Sequence, residues 1–384
     1  MTRAYFDWAA TAPFFRFPDS DVCPFGNPSS AHAEGRAARD ALEGARRRCA
    51  AVLGVPPNTL YFTSGGSESN ALVILAQLSH IHSSRSFSCV TSDIEHASCL
   101  ANFKTLEQFG VAVRYLKPDS SGHIQPSALA KLPDSTRLVS IQAVNNESGA
   151  VQDVAALAGA VREGAAGGRV HIHSDCVQAL GKLPCNPAAW GLDSASFAAH
   201  KIGGPRGIGL LYLKRPLEVF VRGGGQEGGL RPGTENVAGA LQMAACMERL
   251  LEPQTAAGFY RAACGRMCRL LEGLSRIPRC TVLPAARRGL DAGLFSPYIA
   301  AAAFRDIPGE VMVRALDDAG FAVSTGAACS QAGRKGGARS RVFAAMGVDA
   351  KTLSEVIRIS QGFSTTDAEL DALVEALERL CRSL

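Results

Sequence analysis

An α/β fold on a mostly parallel sheet, with a smaller α+β domain beside it, is the architecture this sequence predicts. Three observations carry that expectation. The chain has 384 residues, more than one core usually serves, so two domains are the default. From about residue 30 to 250, short β-rich apolar runs alternate with helical periods, the pattern of βαβ units. From about residue 275 that alternation gives way to a mixed strand and helix pattern ending in an amphipathic helix. The expected division is a large domain over 16–250 and a small domain formed by 1–15 together with 251–384.

The elements follow in order. "DALEGARRRCAAVLG" spaces Leu42, Ala45, Cys49 and Leu53 as one helix face. Its Arg46–Arg48 run is expected to be solvated. "TLYFTS" (59–64) reads as a strand and "ESNALVILAQL" (68–78) as a helix. "SFSCVTS" (86–92), "VAVRYL" (111–116), "RLVSIQAV" (137–144), "RVHIHSD" (169–175), "SASFAA" (194–199) and "GIGLLYL" (207–213) read as further strands. Several are apolar nearly throughout, as strands covered on both faces are. A glycine-rich stretch (223–233) precedes a helical region (237–274). "PYIAAAAF", helices near 309–319 and 340–346, the strand "EVIRIS" (355–360) and a last helix capped by Thr366 or Asp367 complete the chain.

Composition sets limits. Hydrophobic residues make up 47% and charged residues 20%, an ordinary balance for a packed core. The net charge of +5 is scattered, apart from Arg46–Arg48 and the stretch from Arg334 to Arg341, so direct nucleic-acid binding has little support. No apolar run is long enough to span a membrane, and the first residues lack the layout of a signal peptide; a cytoplasmic protein is expected. The twelve cysteines form no CxxC pair, and no metal site is expected. Most, Cys49, Cys89 and Cys246 among them, are expected to be inert buried residues.

In an open parallel sheet ligands sit beyond the carboxyl ends of the strands. The residues found there carry chemistry one after another: Gly65, Gly66 and Ser67 opening a helix, Asp93 to His96, Asn145 to Glu147, Asp175 with Gln178 one turn on, then His200 and Lys201. Glycines at a helix start suit a phosphate, yet no P-loop lysine follows and no GxGxxG marks a dinucleotide site. Each group alone has a bland reading as turn or cap chemistry. Together, a phosphate cradle, a strand-end acid and a strand-end lysine match what pyridoxal 5'-phosphate requires. A lysine amine condenses with its aldehyde, and an acid pairs with its ring nitrogen.

At this point "SDCVQALGKLP" followed by "AHKIGGPRGIGLLY" resembles the pyridoxal-phosphate-dependent cysteine desulfurases of the NifS/IscS type. The resemblance extends through "FDWAATAP" (6–13), "GNPSS" (26–30), "FTSGGSESN" (62–70), "EHAS" (95–98), "VNNESG" (144–149), "RPGTENV" (231–237), "TGAACS" (325–330) and "IRISQG" (357–362). It implies fold-type I, with a seven-stranded, mostly parallel sheet. It also implies that Lys201 anchors the cofactor, Asp175 pairs with the pyridine nitrogen and Gln178 bonds the phenolic oxygen. By the same resemblance His96 stacks on the ring and moves protons, and Asn146 lies beside the cofactor. Gly66, Ser67 and His200 hold the phosphate, and Thr234 reaches the phosphate bound by the other subunit of a homodimer. Arg358 is implied to bind the substrate carboxylate. Cys329 is implied to take sulfur from L-cysteine as a persulfide, leaving alanine, and to meet an iron–sulfur scaffold, its cluster or another acceptor protein.

Other readings share these residues. One is a selenocysteine lyase or another pyridoxal-phosphate enzyme of the same fold. The other is a degenerate scaffold or sulfur carrier without activity. Three departures from the family pattern bear on the choice. Ala198 stands where a phosphate-binding serine is usual, only 12 residues separate "TAP" from "GNPSS", and the segment after Cys329 is somewhat long and rich in cations.

Overall fold

The computed structural model describes residues 3–17, 23–81, 86–164, 170–287, 293–325 and 340–384. After the short β1 (Ala4–Tyr5) and helix α1 (Ala33–Leu53), the chain builds the main sheet. Its strands are β2 (Leu60–Thr63), β3 (Ser88–Ser92), β4 (Ala112–Leu116), β5 (Thr136–Ser140), β6 (His171–Asp175), β7 (Ser194–Ala198) and β8 (Gly209–Leu213). They lie in the order β2-β8-β7-β6-β5-β3-β4. Neighbours from β7 across to β4 run parallel. β8 is antiparallel to both β7 and β2. The reason is the length of its connection. Residues 199–208 are too few for a parallel crossover, which takes about a dozen residues or more. The expected α/β fold with a seven-stranded, mostly parallel sheet is therefore the one observed.

Both faces of this sheet are covered, which is why its strands read as apolar runs. On one face α1 buries Leu42, Ala45, Cys49 and Leu53, the four residues its spacing predicts, in a core shared with α4 (Val154–Gly164) and α5 (Val237–Leu250). On the other, α2 (Gly66–Leu75) and α3 (Ala97–Gln108) bring Val73, Ile74, Phe103 and Leu106 onto Cys89, Leu138 and Leu211.

The helical region expected over 237–274 is broken in two, because Glu252 caps a new helix, α6 (Pro253–Arg276), that starts at its proline. A second sheet follows, ordered β12-β10-β9, from β9 (Cys280–Leu283), β10 (Ile299–Phe304) and β12 (Val356–Ser360). With it come α7 (Gly309–Asp318), β11 (Phe321–Ala322), α8 (Arg341–Ala345), α9 (Ala350–Ser354) and α10 (Asp367–Ser383). Thr366 caps α10 in a reciprocal pair with Glu369. Leu370, Leu373 and Leu377 of α10 pack with Leu270 and Leu274 of α6 in a separate core, which also takes in Ala4 and Phe6. β1 pairs in parallel with β11, so the first residues return to the last third of the chain.

One expectation fails. Arg46 is not solvated: it is 8% exposed, with Nη1 2.7 Å and Nη2 2.9 Å from the two carboxylate oxygens of Glu227. The helix face is right, but a buried carboxylate from the glycine-rich stretch reaches in to meet it. Among the described residues no helix is long and apolar enough to cross a membrane.

Candidate active site

A cavity of about 210 Å3 opens at the carboxyl ends of β5, β6 and β7. It is lined by Gly66, Ser67, His96, Asn146, Asp175, Gln178, His200, Lys201 and Arg358, together with Ala9, Ala10 and Ala198. Sequence reasoning thus nominated the majority of its polar wall. Two nominated residues are not brought there. Thr234 is exposed on the loop before α5, and Cys329 lies outside the described residues, as do Arg334, Lys335 and Arg339.

Each wall has a local cause. Gly65 precedes α2 with φ 153°, a backbone state open to glycine, and offers no side chain to cap the helix. The first N–H groups of α2 therefore have no side-chain cap, at the end where the helix dipole favours an anion. A Cβ at position 66 would stand 2.5 Å from Val177 Cγ2, so this cradle is built for glycine. Beside it, Ala198 ends β7 and brings no hydroxyl.

Asp175 ends β6. Its Oδ2 accepts from Asn70 Nδ2 at 2.7 Å and its Oδ1 from the Val177 N–H at 3.0 Å. Asn70 in turn is set by His173, whose Nε2 lies 3.0 Å from Asn70 Oδ1. Burial, with His171 nearby, drives the His173 imidazole down to about 3, so it is neutral and supports the acid without competing for it.

His96 caps α3, with Nδ1 accepting from the Ser98 N–H at 3.2 Å. That tautomer leaves Nε2 to the cavity. Burial, aided by Lys201 and opposed by Asp175, holds this imidazole below its usual range. His200 is pushed down to about 4 by burial, then by Lys201, Arg206 and Lys182. Both shifts favour the neutral ring, and His96, with Nδ1 accepting, presents Nε2–H to the cavity as a donor.

Lys201 closes the single helical turn Ala199–Lys201 after β7. Its Nζ donates to Ala9 O at 2.6 Å and Ala10 O at 2.8 Å. Arg358, on β12, is 4% exposed. Its Nη1 donates to Asn146 O at 3.0 Å and its Nη2 to Asp7 Oδ1 at 2.5 Å.

Sequence reasoning passed over Asp7, Asn70 and Lys182. Lys182, buried in the wall behind Gln178, donates to Gln178 Oε1 at 2.6 Å. The signal for it was present, a lysine within the apolar run "QALGKLP". Cys49, Cys89 and Cys246 are buried as expected, and burial pushes each thiol up to about 12, far from a reactive thiolate.

Whether these residues suit pyridoxal phosphate is decided by their donor set. A glycine-lined helix N-terminus, a carboxylate bonded by N–H donors, a histidine and an amine reach one cavity from separate strand ends. Each of these requirements of the cofactor meets a residue of the cavity, except that Ala198 offers no hydroxyl for the phosphate.

The chain is similar to known proteins over its whole length. Residues 4–373 match the model of the class-V aminotransferases. The chain is 32% identical over 397 residues to the cysteine desulfurase IscS of Dictyoglomus turgidum, covering 100% of this chain and 95% of that protein. It is 37% identical over 389 residues to a cysteine desulfurase of Cereibacter sphaeroides, covering 98% and 95%. Among solved structures, a NifS-like protein superposes with a TM-score of 0.88 at 31% identity over 100% of both chains. SspA in complex with cysteine does so with a TM-score of 0.76 at 27% identity, over 94% of this chain and 100% of that one. The chain belongs to the class-V aminotransferase family, among the cysteine desulfurases of the NifS/IscS type.

Proposed function

We propose that this protein converts L-cysteine to L-alanine with pyridoxal phosphate held in the Lys201 cavity, and keeps the sulfur as a persulfide on Cys329. The observation that carries the reading is the meeting of Lys201, Asp175, His96, Gln178 and Arg358 around one cavity. When bound, pyridoxal phosphate supplies an aldehyde for amines and an electron-withdrawing ring that loosens the bonds at an amino acid's α-carbon.

The chain's residues supply the rest. Lys201 is the amine that carries the cofactor and then, once free, a base within the cavity. Asp175 keeps the ring nitrogen protonated, and the N-terminus of α2 holds the phosphate. Gln178 donates to the phenolic oxygen. Asn146 lies beside the ring, and His96 covers it, moving protons through Nε2 once Nδ1 rather than Nε2 carries the ring proton. Arg358 faces the substrate carboxylate with a fork that a lysine could not reproduce. Cys329 attacks sulfur as a thiolate: the substrate C–S bond breaks, an S–S bond forms, and the β-carbon takes up a proton. The persulfide then leaves for an acceptor, an iron–sulfur scaffold or a thiolation protein. A homodimer places Thr234 near the partner subunit's phosphate site.

The test is to incubate the yellow, cofactor-loaded protein with L-cysteine, measure alanine, and locate the added sulfur by mass spectrometry. Alanine with one extra sulfur on Cys329 is expected. Cys329→Ala should abolish sulfur release while keeping the colour; undiminished sulfide from that variant would overturn the mechanism.

A further inference from the structure

Lys182 is 4% exposed, and among the described residues no carboxylate pairs with it. Burial, and then the like charges of Lys201 and Arg358, push its amine down to about 7. His200 also faces it. An apolar side chain would fill this place without that cost, so the ammonium has a task there. Among the described residues its side-chain hydrogen bond runs to Gln178 Oε1 at 2.6 Å. The other end of the same amide, Nε2, donates to Ala9 O at 2.8 Å, the carbonyl that also receives Lys201 Nζ.

A carboxamide is nearly symmetric in shape and can turn over, exchanging oxygen for nitrogen; its partners decide which way it lies. Below about pH 7 the group is an ammonium with only donors, and above it the amine still donates to the oxygen it faces, so it fixes that oxygen on its own side and sends Nε2 to the cavity. We propose that Lys182 is a positioning residue that locks the Gln178 amide with its donor toward the Lys201 cavity, so that the site meets an anionic oxygen with an N–H and never with a carbonyl. The proposal rests on the reading of that cavity as the pyridoxal phosphate site. It assigns a role to a side chain that does not itself line the cavity.

The experiment uses the full chain loaded with pyridoxal phosphate. It reads two quantities besides turnover, the cofactor's dissociation constant and the pH midpoint of its visible absorption. Gln178→Ala, Lys182→Met and the double variant are compared. Lys182→Met is expected to move the midpoint in the same direction as Gln178→Ala and to weaken cofactor binding about tenfold, the worth of one hydrogen bond to a charged acceptor. The double variant is expected to match Gln178→Ala alone, because the lysine acts through the amide. Should Lys182→Met fail to fold, Lys182→Gln carries the test, since a side chain that accepts as readily as it donates no longer fixes the amide.

A wild-type midpoint and affinity in the Lys182 variants would overturn the proposal while leaving the cofactor site standing. So would a Lys182→Met shift of undiminished size in the Gln178→Ala background, which would mean the charge acts directly. Wild-type protein that takes up no cofactor colour would overturn the site reading and this inference with it.

Discussion

Arg358 Nη2 lies 2.5 Å from Asp7 Oδ1, although 351 positions separate the two residues. The pair holds the guanidinium at the cavity wall from one side while Asn146 O holds it from the other. Its Nε is buried with no hydrogen-bond partner among the described residues. Removing Asp7 leaves a buried cation less well placed to meet a carboxylate. Asp7→Ala is expected to raise KM for L-cysteine about tenfold with kcat changed far less, the pattern of lost ground-state binding. Steady-state kinetics with an unchanged KM would sink the assignment of Arg358 to the substrate carboxylate.

Ala198 lies against the glycine cradle of α2, and a serine there would add one donor to a charged oxygen. Ala198→Ser is expected to slow cofactor dissociation about tenfold, given about 1.5–3 kcal/mol for such a bond and partial loss to side-chain ordering. Dilution into a trapping amine, followed by absorbance, measures it; equal rates for the two proteins would count against a phosphate beside residue 198.

Glu95, next to His96, gives a pH signature. Its Oε1 accepts from Ser92 Oγ at 2.5 Å and from the Gln142 N–H at 3.0 Å, and its Oε2 has no hydrogen-bond partner among the described residues. Burial pushes the carboxyl up from 4.5 to about 8. Between those values the folded chain holds a proton that the unfolded chain has lost, so stability falls as pH rises through this window. Glu95→Gln, which mimics the protonated form, removes that loss. Its unfolding midpoint in urea is expected to match wild type near the acid end and exceed it increasingly toward pH 8. Parallel curves for the two proteins would place the ionisation elsewhere.

Glu227, held at φ 48°, meets Arg46 with both oxygens and also accepts from the Phe62 N–H at 2.8 Å. Glu227→Ala takes the buried carboxylate from Arg46, which keeps Glu43 and the Leu60 carbonyl, and leaves the Phe62 N–H without its acceptor. A loss of about 3–5 kcal/mol in unfolding free energy is expected; a loss below 1 kcal/mol would mean that water readily replaces the carboxylate.

The strand pattern and the residues at strand ends were legible because a doubly covered parallel sheet writes apolar runs and concentrates chemistry where those runs stop. Lys201, Asp175 and His96 could be read that way. β8 could not, since its direction follows from the length of the link after β7 and not from its own composition. Arg46 misled for a related reason. Helical spacing places it on a partly buried face, but its partner lies 181 residues away, in a stretch whose glycines say nothing of where a carboxylate will point. Asp7 and Lys182 stayed hidden because each acts on another side chain, Arg358 and Gln178, and only the folded chain brings those pairs together.

The return of the first residues to the cavity sets an order of events during synthesis. Ala9 O receives Lys201 and Gln178, Ser360 N–H donates to Phe6 O at 2.7 Å, and Asp7 waits for Arg358. The main sheet and its strand-end groups can assemble first, whereas β1 meets β11 only at residues 321–322 and Phe6 and Asp7 meet β12 only at residues 358–360. The cavity wall that Asp7 and Arg358 form together is therefore complete only once β12 is in place.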